Sequence, residues 1–138
     1  MPSPLDPPLG AGDHVAGSQD APLELVMYGD FQCPDAERAA LASEAAAAQD
    51  AFWDMHDALY AARGRLGGDA ILVAARALEL DVDRIAVELE EGAHAARVAR
   101  DVASGEAAGV QGTPAFFVNG VLHEGAFDTQ SLIAALET

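Results

Sequence analysis

Residues 35–63 contain neither glycine nor proline and are dominated by alanine, and this run constrains the fold more than any other feature of the chain. Alanine is the strongest helix former, and nothing in the run breaks a helix. Pro34 suits a first helical turn, while Asp35 and Glu37 complement the positive end of the helix dipole. Phe52, Met55, His56, Leu59 and Tyr60 recur at helical spacing and make a heavier apolar face. Read without interruption, residues 34–63 predict one helix about 45 Å long at 1.5 Å rise per residue.

Further helices follow from their punctuation. Asp69 is placed to cap a helix through Leu80, Asp81 or Asp83 opens another that ends near Gly92, and a fourth runs from Ala93 to about Ala103. Before the alanine run, Leu23–Tyr28 is mostly apolar and reads as a central strand. After the helices, Ala115–Val118 and Val121–Glu124 flank Asn119-Gly120, a strong signal for a two-residue hairpin. Asp128 caps a last helix, Ser131–Glu137. The order strand, helices, antiparallel hairpin, helix makes this an α/β chain.

Charge narrows the function. Twenty-three acidic residues stand against seven basic ones, all arginine, for a net charge of −16. A surface of that sign repels phosphate backbones and anionic lipid, which sets aside nucleic-acid and membrane-surface roles. Residues 1–22 are rich in proline and glycine and read as an extended arm, with neither the basic start nor the apolar core of a secretory signal. No apolar run approaches the roughly 20 residues that span a bilayer. The expected location is cytoplasmic, where a lone cysteine is a free thiol or an intermolecular link.

That cysteine is Cys33, between the strand Leu23–Tyr28 and the alanine run. Unpaired N–H groups at a helix start stabilise a thiolate, whereas Asp35 and Glu37 oppose it. The expectation is a modestly depressed pKa. Dithiol redox sites are Cys-x-x-Cys, and here the second position is Ala36.

With these elements in order, the chain resembles the DsbA-like branch of the thioredoxin superfamily from Asp13 onward. The resemblance is carried by Asp13-His14-Val15, Tyr28-Gly29-Asp30-Phe31-Gln32-Cys33-Pro34, Phe52-Trp53-Asp54-Met55-His56-Asp57, the run Gly109 to Gly120, and Gly125-Ala126-Phe127-Asp128. It implies a truncated thioredoxin-like fold in which residues 23–138 form one domain. A helical insertion would occupy about 41–108, beside one central strand and a C-terminal antiparallel hairpin. It also implies that Cys33, next to Pro34, is the nucleophile and that Thr113-Pro114 is a cis-proline step. Gln111, Thr113 and Pro114 would line a groove for a peptide or protein thiol or disulfide partner.

The chain departs from the family in two places. Ala36 removes the resolving thiol, so a mixed disulfide on Cys33 needs an external thiol such as glutathione. No other cofactor is expected. Second, a helix and a strand of the family are absent between Ala40 and Leu41. The loss leaves an apolar strand edge open, a liability because open edges pair with other chains. A homodimer, with swapped helical segments or strands paired across a two-fold axis, is the expected remedy; the alternative is a monomer whose arm covers the edge.

Other residues carry plainer readings. His56 and Trp53 read as core, and Asp54, Asp57 and the Glu88-Glu90-Glu91 run as a solvated face. His14, His94 and His123 lack ligand spacing, so no metal is expected. Two functions stay open. One is a single-cysteine thiol–disulfide oxidoreductase. The other is a redox-inactive peptide- or protein-binding module, or an engineered active-site variant of a dithiol enzyme.

Overall fold

The computed structural model describes residues 5, 10, 12–18, 20–30, 36–62, 65–66 and 69–138. The described elements are β1 (Leu25–Tyr28), α1 (Ala36–Ala47), α2 (Phe52–Ala61), α3 (Ala70–Ala77), α4 (Val82–Glu91), α5 (Ala95–Ala107), β2 (Ala115–Val118), β3 (Val121–Leu122) and α6 (Thr129–Leu136). They fall into two compact units, residues 30–101 and residues 1–29 with 102–138, and α5 spans the boundary. This is the mixed α/β, thioredoxin-like class that the sequence implies.

In the helical unit, α1 packs against α2, α3 and α4. Ala39, Ala42, Ala45 and Ala46 of α1 are fully buried, together with Met55, Leu59, Leu66, Ile71, Ala75 and Ile85. The alanines contribute little volume but let neighbouring helices approach, and the larger side chains fill the space between them. Glu44 on the same helix is also buried, with its carboxylate 3.5 Å from Arg97 Nε. A buried carboxylate without such a partner would be costly.

The single helix expected over 34–63 is two helices. α1 stops because Asp50 adopts a left-handed conformation, φ +59°. The Ala51 N–H then donates to the Ala46 carbonyl at 2.9 Å and the Asp50 N–H to Ala47 at 3.0 Å, a Schellman closure. Gln49 holds the turn to α4, its Oε1 accepting from the Asp81 N–H at 2.8 Å and its Nε2 donating to the Asp81 carbonyl at 3.3 Å. Glu79, at φ +60°, closes α3 in the same way. With the chain turning back at Asp50, the long-helix basis for exchanged helical segments is gone.

At the start of α4, the Asp81 carboxylate accepts from the Arg84 N–H, whereas Asp69 precedes α3 without a side-chain cap bond. Glu88 is not on a solvated face as expected. It lies 3.0 Å from both His94 Nε2 and Arg84 Nε, and the hydrogen bond to His94, followed by that to Arg84, holds its carboxyl below the usual range.

The sheet runs β1-β2-β3, antiparallel throughout, with Val26 opposite Phe117 and Phe117 opposite Leu122. The strand expected to be central therefore lies at an edge among the described residues, because its only strand neighbour is β2. Asn119 and Gly120, at φ +49° and +85°, make the tight turn that their sequence predicts. Phe117 is fully buried and meets the Tyr28 ring edge-on at 5.9 Å. The Tyr28 hydroxyl bonds Ser104 on α5, and its ring lies so close that a Cβ on Gly105 would approach Cδ1 at 3.2 Å. Glycine inside α5 is thus the cost of close aromatic packing. α6 starts at Asp128, whose carboxylate accepts from the Ser131 N–H and hydroxyl and is held below its ordinary pKa, first by the hydroxyl.

Asp50 occupies a backbone region that costs L-residues of the order of 1 kcal/mol, and glycine enters it freely. The substitution Asp50→Gly is expected to raise unfolding stability by about 0.5–1 kcal/mol after the entropy gained by the unfolded chain. Urea titration measures it, and a loss of stability would mean that the Asp50 side chain does more than occupy the turn.

Candidate functional site

The loop between α5 and β2 is built by two local events. Gly109, at φ +86°, ends α5, and the Val110 N–H folds back onto the Gly105 carbonyl at 2.9 Å. The chain then runs through Gln111 and Gly112 to Thr113-Pro114, where the peptide bond is cis. Beyond the hairpin, the segment 122–127 returns alongside β2. The His123 N–H donates to the Phe116 carbonyl at 2.8 Å, His123 Nε2–H to the Ala126 carbonyl at 2.7 Å, and the Phe127 ring stacks on Phe116 at 6.1 Å. Gly125 makes room for this arrangement, since a Cβ there would sit 3.2 Å from the His123 ring.

These segments enclose an open pocket of about 340 Å³. Gly109 to Gly112 and Pro114 to Phe116 form one wall, and Leu122 to Gly125 with Phe127 the other. Phe127 is 58% exposed, so its ring is offered to a ligand as well as to Phe116. An apolar ring pair beside exposed backbone suits an extended segment with an apolar side chain, while Glu124 sets a negative charge at the rim.

The helical unit holds a second group of functional side-chain types. On α2, the Trp53 and His56 rings lie 5.2 Å apart and the His56 and Tyr60 rings 4.8 Å apart. His56, expected in the core, is only half-buried, with Nδ1 3.1 Å from the Asp57 carboxylate. Trp53 is 39% exposed and is not core. It stands two residues from Met55, about 200° around the helix from the buried face. The Tyr60 hydroxyl donates to the Asp30 carbonyl at 2.8 Å, and partial burial, then the Asp30 charge, pushes its pKa up.

A family profile for the DSBA-like thioredoxin domain matches residues 15–137. The chain belongs to this family. Among curated relatives, a Na(+)/H(+) antiporter NhaA 1 of Salinispora arenicola is 37% identical over 166 aligned positions, which cover 96% of this chain and 25% of that protein. The Na(+)/H(+) antiporter NhaA of Herminiimonas arsenicoxydans is 34% identical, covering 99% of this chain and 27% of that protein. The chain thus spans about a quarter of the length of these relatives. The first alignment is also longer than the 138 residues available, so at least 28 positions in it have no counterpart here. The crystal structure of oxidised BdbD from Bacillus subtilis superimposes with a TM-score of 0.81 at 19% identity, covering 100% of both chains. At that identity the likeness is one of fold.

Within this DSBA-like domain, the residues singled out from sequence divide clearly. Cys33 and Pro34 lie outside the described residues. Ala36 is the first residue of α1. Gln111 and Pro114 line the pocket, with Thr113 exposed between them. The sequence predicts strand at His123 and Glu124 and places Phe127 only within a family motif, and it marks none of them as lining a site. Their signal is the cluster of a histidine, an acid and an aromatic around Gly125, directly after a hairpin. No group of three or more His, Cys, Asp or Glu suited to a metal occurs among the described residues.

The His123–Ala126 bond anchors the outer wall of the pocket. Replacing His123→Ala is expected to cost about 1 kcal/mol, typical for a lost hydrogen bond, and to speed amide exchange across residues 125–128. Unchanged exchange there would show that the wall is held by the Phe116–Phe127 stack alone.

Proposed function

We propose that this DSBA-like domain is a single-cysteine thiol–disulfide protein that captures a peptide or protein partner as a mixed disulfide. The observation that carries the reading is family membership combined with alanine, at position 36, three residues after Cys33. The Cys33 thiolate attacks one sulfur of a partner disulfide. The partner S–S bond breaks, a Cys33–partner disulfide forms, and the other partner sulfur leaves as a thiolate. Ala36 offers no second sulfur, so an external thiolate such as glutathione attacks the partner sulfur, forms a new disulfide with it and releases the Cys33 thiolate. The Thr113-Pro114 step and the Gln111 side of the pocket would hold the partner in extended form, with an apolar side chain against Phe116 and Phe127. A thiol-rich compartment such as the cytoplasm would supply the external thiol.

A binding function without redox turnover is the second reading, favoured by the open pocket, which needs no thiol to hold a peptide. The antiporter names belong to relatives of which this chain covers about a quarter. Among its described residues no helix is long and apolar enough to cross a membrane, and no transport step is assigned to it.

Incubation with oxidised glutathione, followed by mass spectrometry, is expected to give one adduct per chain that reduced glutathione removes. Ala36→Cys is expected to convert the protein into a dithiol catalyst that oxidises a reduced peptide in many turnovers. Oxidised glutathione, supplied as the terminal oxidant, re-forms the disulfide between Cys33 and the introduced thiol. No adduct in the folded protein, together with no turnover in the variant, would leave the binding reading in its place.

A further inference from the structure

The outer edge of β1 has a defined hydrogen-bonding register. The Asn119 N–H donates to the Glu24 carbonyl at 2.8 Å, and on the far side of the sheet the His123 N–H donates to Phe116. In an antiparallel ladder such pairs alternate, so Val26 and Tyr28 spend their backbone groups on β2. The N–H and C=O groups of Leu25 and Met27 point away from it. No strand lies beyond them among the described residues.

The side chains of these two residues share one face of the sheet and are 44% and 43% exposed. Native edges are usually guarded by lysine, proline or a bulge. Between Leu25 and Tyr28 there is no charge and no proline.

We infer that β1 pairs with β1 of a second copy, antiparallel about a two-fold axis at Val26, giving one six-stranded sheet. In this register Leu25 faces Met27 of the partner subunit, and four backbone hydrogen bonds form from groups that no described strand uses. Glu24 falls opposite Tyr28 of the partner subunit, so the only acid beside the strand meets no like charge directly. The two Leu25–Met27 pairs close into one apolar cluster on a single face. Leu25, Val26 and Met27 all lie opposite β1 residues of the partner subunit, whereas a two-fold at Met27 would set Glu24 opposite Asp30 of the partner subunit, two like charges.

A second copy also predicts a distinctive response to salt. Each chain carries a net charge of −16, so association is opposed by repulsion between copies. Screening relieves that repulsion, since the Debye length falls from about 30 Å at 0.01 M to about 3 Å at 1 M ionic strength. A basic partner strand would respond in the opposite sense.

Sedimentation of the full chain under reducing conditions tests the inference independently of Cys33. A dimer that strengthens with salt is expected. Amide exchange at Leu25 and Met27 should slow with protein concentration, while Val26 is protected throughout. Met27→Glu should weaken association by about tenfold or more by placing charge in the apolar cluster. The double variant Leu25→Lys/Met27→Glu should recover it, because each lysine would then face a glutamate across the axis. A monomer at all salt and protein concentrations would overturn the proposal, as would a dimer that neither variant alters or exchange at Leu25 and Met27 that ignores concentration.

Discussion

Hydrogen bonding on both sides of β2 is the constraint on which the sheet-bearing unit depends. Phe117 turns its backbone towards β1, and Phe116 turns its own towards the returning chain at His123. The first pairing fixes which groups of β1 are used and which remain open. The second brings the segment 122–127 beside the cis-proline loop and so builds the pocket. Phe117 is buried against the edge of the Tyr28 ring, and Tyr28, packed on Gly105, ties both consequences to α5. A change of one residue in this register would exchange the buried and exposed faces of the sheet.

Where local chemistry decides conformation, the sequence was legible. Asn119-Gly120 specifies a turn that few other pairs can make, and Asp81 and Asp128 accept the helix-start N–H groups expected of them. Gly92 takes the left-handed conformation that its position after α4 implies. The break at Asp50 was hidden because an aspartate, not a glycine, adopts that conformation, and its determinant is Gln49 bonding to a residue 32 positions away. Non-local pairing hid the place of β1 in the same way. An apolar strand looks central until its neighbours are known, and among the described residues β1 pairs with β2 alone.

The candidate site was only partly visible for a related reason. Thr113-Pro114 and Gln111 stand out as a motif. Phe116, His123 and Phe127 become a wall only when the hairpin folds them together. Glu88 likewise read as surface charge until His94 was brought to it across the turn after α4.

Together these features describe a DSBA-like domain with an open pocket beside its Thr113-Pro114 loop and one thiol where dithiol chemistry uses two. Such a domain is a capture device if its thiol is ionised and a plain binding surface if it is not. The pH dependence of Cys33 alkylation in the native protein decides between them. The account predicts a thiol pKa below the free value of about 8.5, with reaction in the folded state. A value at or above 8.5, or no reaction until the chain unfolds, would contradict it.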